Sequence, residues 1–530
     1  MTRIGVFGWG IVAPRSPDID AFASQLESAE SWLEPFNGFG PDAFLVGVPE
    51  FDVERYRDWI AERFPPARFR QLVDKMSYPT LYAIGAFIQS LGQNPGIEDD
   101  LQALGTAAHV YVGVGLGAVG TLHDATLDLY YAQRRWDRFW ADPSRNPALT
   151  AFLAGDRAAT PDAPPLPDDV PRDEREQAEG AWWHYWAAKA PGLHQYLEQL
   201  RDIESLNVEG EIEAGKMRVM KEKSRRTARL EREWGAPPPP WKCVTANAIW
   251  NIHNTPAAQI SMLGRITGLA FAPVGACSTF GLSLKLAMDA IRRGEARAVV
   301  VGATDPPPHP LVVGAFYQAR VISADGGVSR PLHGLRGTHV AGGSIVWIVG
   351  DYDYFTAKGY RPLGMEPLAV GLSSDAHHII TPTKEGPLTA IRQALDEADV
   401  APDQVTSWDL HATATPGDYL EVETLRDVVP SSVLVTARKG TFGHGMSGGG
   451  GWELTAQYLG YERGKLFPTP LPAEDLHPEI ARLHNLFVFD RAAAAPEGVA
   501  GKLSMGIGGI NACVLSRPWK KTQTPRRLDA

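Results

Sequence analysis

Residues 272–291 read APVGACSTFGLSLKLAMDAI: an apolar approach, one cysteine between small residues, then helical spacing. From Gly281 to Arg293, Leu282, Leu284, Leu286, Ala287, Ala290 and Ile291 make a broad apolar face, and Gly294 supplies a stop. Cys277 therefore falls at the N-terminal end of a helix, where exposed N–H groups and the positive end of the dipole lower a thiol from its ordinary pKa of ~8.5. A thiolate there is a nucleophile for acyl transfer. The plainer alternative is a buried cysteine acting as a small hydrophobe. Working outward, β-branched runs closed by glycine recur: Ile4 to Phe7 before Gly8, Val110 to Val112 before Gly113, and Val299 to Val301 before Gly302. Each reads as a core strand, the first as a buried strand entering a glycine turn. Strands alternating with helices give a layered α/β fold.

The chain has 530 residues, 44% hydrophobic and 21% charged, enough apolar material for a large core. A net charge of −11 leaves no electrostatic footprint for nucleic acid. Cys243, Cys277 and Cys513 are too few and too scattered for a disulfide framework, which fits a reducing compartment. The opening MTRIGVFGWG lacks the basic and long apolar regions of a signal peptide, and no apolar run nears the ~20 residues of a membrane span. A cytoplasmic protein with no membrane partner is expected.

Residues 125–241 differ from both flanks. They hold an acidic, proline-rich stretch from Thr160 to Arg172, an aromatic cluster of Trp182, Trp183, Tyr185 and Trp186, and a charged run from Glu209 to Trp234. That run mixes signs among good helix formers and predicts a solvated helix ending at Gly235. The segment reads as a mainly helical insertion packed on the surface; a cap over an active-site entrance or a carrier-protein dock is the sharper alternative.

Two further motifs carry chemistry. In DLHATATPGDYLEVETL, residues 409–425, His411 ends an apolar run and is followed by small residues that leave the imidazole unobstructed. In TARKGTFGHGMSGGGGWELTA, residues 436–456, Lys439 and His444 lie among glycines that let backbone approach a ligand closely. This is no phosphate loop, because its lysine precedes the glycines. Zinc sites draw paired ligands from one short segment, and the only close pair is the adjacent His377 and His378, so no metal and no cofactor is expected.

Taken in order, these motifs make the chain resemble the β-ketoacyl synthases, thiolase-fold condensing enzymes of fatty acid and polyketide synthesis. The resemblance extends through RIGVFGWGIVAPRSPDIDAFASQL, DKMSYPTLYAIGAF, VGVGLGAVGTL, GEARAVVVGATD, SRPLHGLRGTHVAGGSIVWIV and GKLSMGIGGINACVL. It implies a duplicated α-β-α-β-α architecture, with residues 1–124 and 242–350 as one half, 351–530 as the other, and 125–241 inserted. It also implies that Cys277 accepts an acyl group from an acyl carrier protein or coenzyme A thioester. His411 and His444 would bind the malonyl thioester carbonyl, and Lys439 would organise the site. The N–H groups of Cys277 and Ile507 would form the oxyanion hole, with Thr413, Thr415, Phe442 and Gly508 along the substrate. A homodimer is expected, since two-fold assemblies are the commonest.

The chain departs from the family at several points. Ile507 stands where a gating phenylalanine is usual, and HATATPGD is one residue short before Asp418. Gly343 replaces an acidic residue, so Lys439 needs another carboxylate, with Glu453 the candidate. These differences mark a divergent branch. Two other readings stay open: an acyltransferase that loads the thiol without condensing, and an impaired partner subunit, although such partners lose the cysteine. A thiolase is disfavoured, because its second cysteine would have to be Cys513, in the last strand.

Overall fold

The computed structural model describes residues 2–40 and 42–519. Ile4–Val12 is a single strand with all nine residues buried, so the turn expected at Gly8 is absent. Gly8 and Gly10 instead lie where the helix Tyr78–Ser90 crosses the strand. A Cβ on Gly8 would sit 1.9 Å from the Ser90 carbonyl oxygen, and one on Gly10 1.9 Å from that of Ala86. The glycines thus set helix-to-strand spacing.

The described residues of 1–120 and 249–530 form one compact unit. It holds two five-stranded sheets. The first runs Ile4–Val12, Gly343–Asp351, Ala298–Asp305, Ala108–Val114, Ala270–Phe271, with two antiparallel and then two parallel pairings. The second runs Met365–Ser374, Ile510–Pro518, Val499–Gly506, Val405–Asp409, Leu434–Thr436 with the same sequence of pairings. The repeat of order and sense is the duplication.

Thr279–Arg292 and Met446–Glu462 pack against each other and against both sheets, forming the central layer. Tyr78–Ser90 and Thr255–Leu263 cover the outer face of the first sheet, and Glu385–Ala398 that of the second. Covered on both faces, the strands are continuous apolar runs rather than alternating ones. The result is the α-β-α-β-α architecture that the resemblance implied. Among the described residues no helix is long and apolar enough to cross a membrane.

Residues 121–248 form a second compact unit. Its core stacks Trp136, Trp140, Trp182, Trp186 and Tyr196 with Leu149, Leu193, Leu200 and Leu230. Asn146 ties two of its helices together, capping Pro147–Leu153 and donating 2.6 Å to the Trp186 carbonyl. The charged run is the helix Ile212–Trp234, ended by Gly235 in the left-handed region at φ 60°, as its sequence predicts.

Candidate active site

Cys277 sits in a single 3-10 turn, Ala276–Ser278, that leads into the helix Thr279–Arg292. The turn needs Ala276 at φ 48°, a conformation costly for a non-glycine residue. Its neighbours hold it. The Thr279 hydroxyl donates 2.7 Å to the Ala276 carbonyl and accepts at 2.9 Å from the Gly275 N–H. The Ser278 hydroxyl lies 3.0 Å from the Ser504 carbonyl and 2.8 Å from that of Ile510.

His411 leaves the strand Val405–Asp409 with its backbone fixed by carboxylates. Glu421 accepts from the N–H groups of His411 at 2.6 Å and Ala412 at 2.8 Å. Asp418 accepts from Thr413 at 2.8 Å, Ala414 at 3.1 Å and Leu332 at 2.9 Å, so the shortened motif still closes. Burial pushes Glu421 up to about 8 and Asp418 to about 6 despite these donors.

The two imidazoles meet edge to face, with ring centroids 5.4 Å apart. The Lys439 ammonium lies 3.3 Å from His411 Nδ1, and the Met446 N–H donates 3.0 Å to His444 Nδ1. Neither partner can accept a hydrogen bond, so both Nδ1 atoms accept and each neutral ring carries its proton on Nε2. Burial, and next the Lys439 charge, keep His444 down to about 3 and His411 well below the usual histidine range. Both rings are therefore neutral donors.

The Cys277 sulfur and one ring nitrogen from each histidine lie within 4.8 Å of one another. With Nδ1 occupied and Nε2 protonated, the rings lack the lone pairs a metal would need in that space. Burial raises the Cys277 thiol to about 11, against the lowering that its helix end implied. The Ile507 N–H, the Lys439 charge and the N–H of Cys277 itself oppose that rise.

Lys439 lies 2.6 Å from Glu453 and also donates to the His411 carbonyl. Glu453 thus supplies the missing carboxylate. Position 343 could not, because a Cβ there would lie 2.1 Å from the Val12 carbonyl oxygen at φ 138°. Beneath lies a second ammonium that the sequence motifs did not reveal: Lys502, 2.8 Å from Glu453 and 3.5 Å from Asp409, which also pairs with Arg438 at 3.3 Å.

The pocket above Cys277 has a volume of about 290 Å³. Its lining includes His411, His444, Thr413, Thr415, Met505 and Ile507, with Phe316, Val321 and Ile380 as apolar wall. Thr413 and Thr415 lie side by side, hydroxyls 3.0 Å apart. Phe442 and Gly508 do not line it. The Phe442 ring is fully buried against Phe22, Trp32 and Trp452, so it is core and not substrate surface, a correction to its expected place. Gly508, at φ 92°, forms the outer side of the hairpin tip, its N–H donating 2.7 Å to the Ile379 carbonyl. Cys513 is wholly buried in the last strand.

Comparison with known proteins agrees with this geometry. The β-ketoacyl synthase N-terminal domain model matches residues 234–344, which hold Cys277, and the C-terminal domain model matches 366–471, which hold His411, Lys439 and His444. Nodulation protein E of Rhizobium sp. (strain N33) is 29% identical over 260 residues, 47% of this chain and 64% of that protein. The chloroplastic 3-oxoacyl-[acyl-carrier-protein] synthase I of Hordeum vulgare is 30% identical over 258 residues, 46% of this chain and 54% of that protein. The chain thus spans between about half and two thirds of the length of these relatives. A β-ketoacyl synthase from Burkholderia phymatum STM815 shares the fold, with a TM-score of 0.66 at 16% identity over 98% of this chain and 100% of that one. Both domain models lie in order on the halves that bring the cysteine and the histidines together, and over these residues the chain matches the β-ketoacyl synthase family.

Proposed function

We propose that this protein condenses an acyl group held on Cys277 with a malonyl thioester, releasing carbon dioxide and a β-ketoacyl thioester. The observation that carries the reading is the placing of a ring nitrogen of each histidine within 4.8 Å of the Cys277 sulfur while both Nδ1 atoms face donors. In the first step the Cys277 thiolate, its proton lost to solvent, attacks the acyl thioester carbonyl. The N–H groups of Cys277 and Ile507 take the oxyanion, and the carrier thiol leaves. The malonyl thioester then places its carbonyl oxygen against His411 and His444. Loss of carbon dioxide leaves the C–C bonding pair as an enolate, stabilised where its charge develops. The enolate carbon attacks the acyl-Cys277 carbonyl, and collapse of that intermediate expels the thiolate.

An acyltransferase without condensation would need the histidines as general bases. Rings that already carry Nε2 protons do not serve that way, which disfavours the alternative. Acyl carrier protein is the proposed carrier, as in the name of the Hordeum vulgare relative. The free Cys243, Cys277 and Cys513 suit a reducing cytoplasm. A homodimer is supported by the edge strand Ala270–Phe271, flanked by Leu269 and Val274, which are 55% and 52% exposed. Mass spectrometry of the protein incubated with acyl thioesters and malonyl-carrier protein tests the reading. A Cys277-linked acyl group and a β-ketoacyl product are expected, and acylation without condensation would overturn it.

A further inference from the structure

Among the buried charges that the proposed mechanism does not use is Lys502. Lys502, on the strand Val499–Gly506, has a side chain only 1% exposed. Glu453 bridges two ammonium groups, one oxygen 2.6 Å from Lys439 and the other 2.8 Å from Lys502. The same two ammonium groups hold successive peptide carbonyls at the strand exit: Lys502 that of Leu410, at 3.4 Å, and Lys439 that of His411. On the opposite side Glu421 holds the next N–H groups, so the backbone carrying His411 is gripped from two directions.

We infer that Lys502 is a positioning residue for His411. It fixes the strand exit and adds to the positive charge beside the imidazole, so the enolate meets N–H donors too weakly acidic to protonate its carbon. The inference rests on the proposed condensation. An imidazolium in the same place would stabilise the enolate but also deliver a proton to it, yielding a decarboxylated, unextended thioester: the C–C electron pair would end in a C–H bond instead of a new C–C bond. Lys439, Arg438 and Lys502 supply cations; Glu453 and Asp409 are paired with them. Glu421 and Asp418 cap the backbone, and His444 faces the ring. Burial disfavours the Lys502 charge, but Glu453 and Asp409 hold it, raising its pKa. Burial most, then Lys439 and His444, and after them the Lys502 charge, lower His411.

The test uses full-length wild type, Lys502→Met and Lys502→Arg, acylated and given malonyl-carrier protein from about pH 8 down to about pH 6. Carbon dioxide released per β-ketoacyl product is the readout, and NMR of ¹³C-histidine-labelled protein follows His411 directly. Wild type and the arginine variant should stay near one to one. The methionine variant should release a growing excess of carbon dioxide as pH falls, with the His411 titration moved upward from its wild-type position. Lys502→Gln, which keeps a donor without a charge, replaces it if Lys502→Met does not fold. A neutral variant with tight coupling and a neutral ring at the acid end, or an arginine variant that leaks equally, overturns the role. A wild type that never decarboxylates malonyl thioester sinks the condensation reading instead, while the NMR titration still decides what Lys502 does to His411.

Discussion

Cys277 is under two opposing influences: a helix end and nearby N–H groups favour its anion, and burial opposes it more strongly, leaving the thiol at about 11. Its alkylation by iodoacetamide should therefore climb with pH through neutrality without a plateau before about pH 10, since the reactive thiolate fraction keeps growing. A plateau near pH 7 would show that the helix end dominates. His411→Ala should still be acylated on Cys277 yet lose about 10²–10³ in condensation rate, the usual cost of one oxyanion donor. Retained condensation in single-turnover assays would remove His411 from that role. Cys277, His411, Lys439 and His444 were legible because each sits in a short string of unusual composition. Lys502 was not, because GKLSM reads as ordinary strand and its partners come from residues remote in sequence. Phe442 misled for the converse reason: next to the site in sequence, its side chain leaves the short helix Lys439–Phe442 toward the aromatic core.

Helices and their stops followed from periodicity and glycine, as at Gly235, but the first strand did not end where its glycines suggested. A glycine that admits a crossing helix looks in sequence the same as one that turns the chain. The difference has a measurable cost. Gly10→Ala should destabilise the protein by about 1–3 kcal/mol or more in chemical denaturation, because the added methyl meets backbone that cannot yield. Gly180, inside the helix Arg175–Ala188, has nothing within 4 Å of its would-be Cβ. Gly180→Ala should stabilise residues 121–248 by about 0.4–1 kcal/mol. A neutral result at Gly10 would mean that the strand and the helix Tyr78–Ser90 pack less closely than described.

At the scale of the molecule, the duplication was visible only as family resemblance, since no repeat in the sequence announces two sheets with one pairing order. Residues 121–248 carry their own tryptophan-rich core and should fold when expressed alone, with strong near-ultraviolet dichroism and a single cooperative melt. A featureless near-ultraviolet spectrum would contradict that. Sedimentation of the full chain should give twice its 57.6 kDa mass, and a monomer at micromolar concentration would remove the proposed dimer. The hairpin that presents Ile507 also receives the Ser278 hydroxyl at both of its strands. During synthesis Cys277 is made long before the hairpin that braces its turn and carries the proposed second oxyanion donor. A nascent or truncated polypeptide stopping between them bears the thiol without its brace, so the proposed reactivity awaits translation past residue 510.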